Sequence, residues 1–247
     1  MKSFNKTART AETSQQKAAR VAGLAYLLII ITSVLSMIFL DSKLTVKGNT
    51  AATVNNIMAN EVLFRIMTAY DLIMFTSVVI LSLALYVTLK PVSRNLALLA
   101  LLWRLGEVII GGVAVLSSLI VLVLLNGADY SAVFETGQLH ALVGLFLHVR
   151  FAAFSIVFVF LSLGSIVFFY LFFKSKYVPR ILAALGIFSF SLMLMWPFVN
   201  IFSPNYAAMI QGASFAPAII FELIIGFWLL SKGVNVLQWE KRALKSA

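Results

Sequence analysis

The chain contains no cysteine and only two histidines among its 247 residues. The first absence excludes disulfides, thiolate nucleophiles and any Cys-ligated metal, although it names no compartment. The second leaves His140 and His148 on one segment. That arrangement does not place two imidazoles on opposite faces of a haem iron, and a zinc site needs three or four ligands. No haem, metal or other cofactor is expected. The patterns GxxxxGK, HExxH and GxSxG are also absent. Ser77, Ser117, Ser162 and Ser189 lie in apolar runs without a histidine nearby in sequence, and are expected to bond back to their own helices. An enzyme is the least supported class.

Charge is scarce as well. Only 11% of residues are charged and 62% are hydrophobic, against about 25% charged in a soluble domain. Such a chain cannot cover a globular surface with polar groups, so lipid must be part of its solvent. The formal net charge of +10 raises the question of nucleic acid. Its distribution answers no: the basic residues flank apolar runs, and no basic face interleaved with exposed aromatics occurs. The bilayer is the expected partner.

What is present is six apolar runs, at about 18–40, 63–89, 96–125, 150–173, 181–202 and 215–237. Each exceeds the roughly 20 residues that cross a hydrocarbon core, and backbone in lipid must satisfy its own hydrogen bonds, so the runs are helices. The expected fold is all-α and polytopic: six transmembrane helices in one bundle over 18–237, between a polar tail (1–17) and a basic tail (238–247). Proline-containing loops at 90–95 and 174–180 read as hairpins, and Pro217 is placed at the start of the sixth run. The first run is too long for a signal peptide and lacks a small-residue cleavage site, so it is read as a retained helix. Between spans, Asn49 or Thr50 is expected to cap a short interfacial helix with Val54, Ile57 and Met58 on one side. Residues 126–149 read as a polar, then amphipathic, connector.

Lysine and arginine concentrate in the N-terminal segment (Lys2, Lys6, Arg9, Lys17, Arg20), the 90–95 loop (Lys90, Arg94), the 174–180 loop (Lys174, Lys176, Arg180) and the C-terminal end (Lys232, Lys241, Arg242, Lys245). These are alternate sides of a six-span chain. The positive-inside rule therefore puts both termini in the cytoplasm. A similar pattern of tyrosine, lysine, arginine and Leu-Ala recurs at 86–97 and 170–183; an interfacial belt of aromatics and cations explains it better than a repeated hairpin.

Six charges remain in or beside the spans: Arg65, Arg104 and Arg150 against Asp71, Glu107 and Glu222. A charge at mid-bilayer costs at least about 2.5–3.5 kcal/mol, so each is a functional hypothesis by default. At about 1.5 Å per residue, Asp71 and Glu222 fall about 8 and 6 Å outward of centre, and Glu107 and Arg104 about 5 and 9 Å inward. Two centres follow. The inner one pairs Arg104 with Glu107, three apart on one helical face that Gly111, Ala114 and Ser118 continue with small residues suited to close helix approach. The outer one collects Asp71, Glu222, Arg65, Arg150 and His148, with Tyr70, Asn200 and a kink at Pro197 nearby. The competing reading makes the arginines snorkel to headgroups and the acids structural partners that fix register.

Several stretches together resemble a known family: AARVAGLAYLL (18–28), SKLTVKGN (42–49) with Asn56-Ile57, LFR (63–65), LKPVSRNLAL (89–98), WRL (103–105), PRIL (179–182), and Glu222 followed by WLLSKGV (228–234). Their order is similar to that of the bacterial membrane-protein family known as domain of unknown function 4386. The resemblance implies a multi-pass helical protein of the bacterial plasma membrane and carries over no catalytic residues. It includes Arg65, Arg104 and Glu222.

Two functions are carried forward. One is binding or passage of a small ligand or proton at Asp71, Glu222, Glu107 and Arg104. The other is a non-catalytic membrane subunit, or partner-binding protein, whose charges lock the bundle.

Overall fold

The computed structural model describes residues 2–46, 48–126, 134–235 and 238, with side chains for all of these except 2–13 and 39–41. Among the described residues there is no strand. The helices are α1 (Lys2–Ser36), a π-helical stretch (Met37–Leu44), α2 (Thr50–Ala59), α3 (Glu61–Leu89), α4 (Arg94–Asn126), α5 (Thr136–Ser175), α6 (Arg180–Phe202) and α7 (Pro204–Ser231). Six are long and apolar enough to cross a membrane: Ser14–Ser36 of α1, and α3 to α7. Large apolar side chains such as Ile109, Ile181 and Phe202 face outward at 70%, 77% and 81% exposure, which suits lipid and not water.

Three boundaries differ from the sequence reading. Helix α1 starts at Lys2, so 1–17 is not simply a polar tail. Helix α5 starts at Thr136 instead of 150. The connector expected there has no breaker, and Leu139, Leu142, Val143, Phe146 and Leu147 pack into an apolar cluster. Helix α7 starts at Pro204, with that proline in its first turn, and Pro217 lies inside it. A proline in the first turn gives up an N–H that has no helical partner anyway, so the earlier proline serves equally well. The expected basic tail, apart from Gln238, lies outside the described residues.

By packing, the chain divides into two compact units, and α1, α3, α4 and α5 each contribute to both. Unit 1 comprises 1–30, 77–107 and 158–247. In it α6 and α7 lie along one another, joined where the Trp196 indole N–H donates to the Ala207 carbonyl at 3.0 Å. Phe169 stacks on Phe190 (5.8 Å between centroids) and meets Phe221 edge-on at 4.7 Å. Gly186 makes room for these rings. Gly23 of α1 lets its backbone run directly against α7: a Cβ there would lie 2.5 Å from the Leu230 nitrogen.

Unit 2 comprises 31–76 and 108–157. Its core joins Leu44, Val54, Ile57 and Phe64 to Val121, Leu122, Leu124 and Val143. Asn49 caps α2, its Oδ1 accepting from the Ala52 N–H at 2.9 Å, as the sequence suggested. Val54 and Ile57 are buried, but Met58 is 53% exposed and does not share their face. Thr53 ties the segment before α2 to it, accepting from the Val46 N–H at 2.9 Å.

Candidate functional site

Unit 1 holds the first charge centre. Arg104 and Glu107 form an ion pair, Nη1 to Oε2 at 2.7 Å, with side chains 3% and 2% exposed. Their spacing on α4 dictates this contact, because residues three apart sit one above the other. The arginine stem needs room, and Gly164 of α5 provides it: a Cβ at that glycine would come within 2.9 Å of the Arg104 Cγ and Cδ. The same face of α4 continues toward its C-terminal end through buried Gly111, Ala114 and Ser118. What fills the space at Gly111 is the Phe75 ring of α3 and not a second backbone.

Glu222 belongs to this unit, whereas Asp71 is counted in unit 2. It is buried on α7 and lies within electrostatic reach of Arg104 and Glu107. Helix α7, which carries it, begins eleven residues before the expected 215–237 span. Tyr26 of α1 is buried as well and feels all three charges. Sequence reading missed it: one tyrosine in an apolar span looks like an interfacial anchor. The available signal was its setting, for Ala19, Ala22 and Gly23 line the buried side of the same helix.

Unit 2 holds the second centre. Arg150 of α5 and Asp71 of α3 pair at 2.8 Å, Nη1 to Oδ2, with side chains 9% and 3% exposed. The guanidinium also lies 4.8 Å over the Phe154 ring, which stacks on Phe75. Arg150 does not snorkel. It reaches a carboxylate because Thr136–Ser175 is one continuous helix, so residue 150 stands well inside it.

Two expected members of the outer centre stand apart. Arg65 is half exposed and pairs with Glu61, one turn earlier on α3, at 2.6 Å. Glu61 opens the helix, two residues before the expected start of the run at 63. His148 is exposed, and its Nδ1 sits 2.8 Å from the Gly144 carbonyl on the preceding turn. Asn200 and Pro197 belong to unit 1 and Tyr70 to unit 2. Of the serines, Ser117 does donate back to its own helix, to the Val113 carbonyl at 2.8 Å. Ser162 does not: its buried Oγ has no hydrogen-bond partner among the described residues.

A family model described as a domain of unknown function (DUF4386) matches residues 21–233. The chain belongs to the DUF4386 family. The match covers both buried ion pairs, Glu222 and Tyr26, and agrees with the stretch of about 18–234 over which the resemblance was read. No curated protein and no solved structure matches the chain. Family membership and six apolar helices together make this a multi-pass membrane protein of the DUF4386 type.

Proposed function

We propose that the chain resides in the plasma membrane with both termini cytoplasmic, and binds or passes a proton, or a small cationic ligand in its place, at Glu222 beside the Arg104–Glu107 pair. One observation carries this reading. Two buried carboxylates, Glu107 and Glu222, share unit 1 with one buried arginine among the described residues, Arg104, and that arginine is paired directly to Glu107. In a low-dielectric setting an unmatched carboxylate is costly. A proton or a small cation restores the balance, and a group that must be neutralised by something mobile is suited to uptake and release. Tyr26, buried in the same unit and within electrostatic reach of all three, supplies a hydroxyl able to donate to or accept from the occupant.

The test is infrared difference spectroscopy on protein reconstituted in lipid, through steps of bulk pH or on addition of small amines. A carboxylic-acid band that responds in wild type and is missing in Glu222→Gln is the expected outcome. If no such band responds, or if it survives in Glu222→Gln, the reading fails.

A second reading applies to unit 2. There one cation meets one carboxylate, and Arg150 is further held over Phe154. That balanced pair supports a structural role, joining α3 to α5.

A further inference from the structure

A second feature of unit 1 has nothing to do with the buried charges. The turn between α5 and α6 and the end of α7 together form an open cleft of about 630 Å³. Its walls carry Lys176, Arg180 and Lys232, with Tyr177 and Trp228, and no acidic residue lines it among the described residues. Among those residues no carboxylate pairs with these cations. The Lys232 ammonium stands 4.5 Å over the Trp228 ring, and the Arg180 guanidinium lies 5.4 Å over the Phe173 ring. Aromatic faces hold both heads in place while leaving their N–H donors available.

The shape is built, not incidental. Gly233 takes φ 66° immediately after α7, with its N–H bonded to the Trp228 and Leu229 carbonyls. That reversal lays the following residues against the α5–α6 turn, where the Asn235 N–H donates to the Tyr177 carbonyl at 2.9 Å. Gln16 of α1 fastens the same strip from behind, donating to the Val234 carbonyl at 2.8 Å. Lys176 itself adopts φ 60°, a left-handed conformation uncommon for residues other than glycine. At Arg180 the cleft also meets the start of α6, which has neither a side-chain cap nor an acidic first turn. Its free N–H groups and positive dipole end favour an anion there.

We propose that this cleft binds the phosphate of an anionic headgroup. Three cations with no counter-ion among the described residues match a phosphodiester. The half-buried Trp228 ring gives glycerol and acyl segments an apolar wall, at a helix end of the kind that lies at headgroup level. The source we favour is an anionic phospholipid, because the cleft is open and sits beside lipid-facing Ile181, which is 77% exposed. Free phosphate shares the recognition chemistry and is separated from it by experiment.

Trp228 serves as the reporter. In vesicles of phosphatidylcholine, brominated phosphatidylglycerol is expected to quench the protein's fluorescence more than brominated phosphatidylcholine does, and Trp228→Phe removes the excess. Lys176→Gln, Arg180→Gln and Lys232→Gln each weaken the apparent affinity, on the order of fivefold per cation lost. The control Lys90→Gln/Arg94→Gln removes two cations from another loop and leaves the excess in place. If soluble inorganic phosphate displaces the lipid at low concentration, the site stands and its occupant is a free phosphate compound. If phosphate does not compete, the occupant is lipid. Equal quenching by the two brominated lipids overturns the proposal. So does an equal loss of the excess in the control variant, which would mean general surface charge.

Discussion

Among single side chains, the intramembrane charges differ in how each is neutralised. Arg104 and Glu107 lie one turn apart on one helix, so the contact is local and could be read from spacing alone. Asp71 and Arg150 meet across two helices. The sequence grouped these two residues in one outer centre, but nothing in spacing singled out Arg150 over Arg65 or His148 as the partner. Arg65 and His148 had the right residue type for the site but satisfy themselves within their own helices. The Asp71–Arg150 pair makes a sharp prediction. Asp71→Asn orphans a buried guanidinium and should destabilise the protein by about 3–5 kcal/mol. Removing both charges, as Asp71→Asn/Arg150→Met, should recover most of that loss. Thermal unfolding in detergent of the two single variants and the double one measures the coupling. Additive losses would show that the pair contributes nothing as a pair.

At the level of elements, helix type and number follow from composition and run length, and the structure has them. The boundaries that were missed share one cause. Residues 136–149 and 204–214 mix polar with apolar side chains, so neither looks like bilayer-spanning sequence. Both are nevertheless helical: no proline interrupts either after its first residue, and the apolar members of 136–149 pack into the unit 2 core. Close packing was harder still to foresee. Glycines at 23 and 112 both sit in apolar runs, yet only one meets a neighbour. At Gly23 a methyl group collides with the α7 backbone, whereas at Gly112 nothing lies within 4 Å. Gly23→Ala is therefore expected to lower stability by about 1–3 kcal/mol, and Gly112→Ala to leave it unchanged or slightly raised. Melting temperatures of the two variants decide this. Equal effects would mean that α1 does not pack on α7 as described.

For the whole molecule, orientation is the property that charge counting proposes and geometry alone does not supply. The absence of cysteine makes it directly measurable, since one introduced thiol is the only thiol. Ser93 lies between α3 and α4, and Ser203 between α6 and α7. With both termini in the cytoplasm, a membrane-impermeant thiol reagent applied to intact cells should label Ser203→Cys and spare Ser93→Cys until the membrane is permeabilised. The reverse pattern would invert the topology, while the two ion pairs would stand unchanged.

The two ion pairs also differ in when they can form. As the chain emerges from the ribosome, α4 brings Arg104 and Glu107 together, so that span enters the bilayer already neutralised. Asp71 has no such companion on α3. It must wait while all of α4 is synthesised, until Arg150 arrives on α5. During that interval α3 carries Asp71 without its arginine, at a cost of at least about 2.5–3.5 kcal/mol if the carboxylate is charged at mid-bilayer.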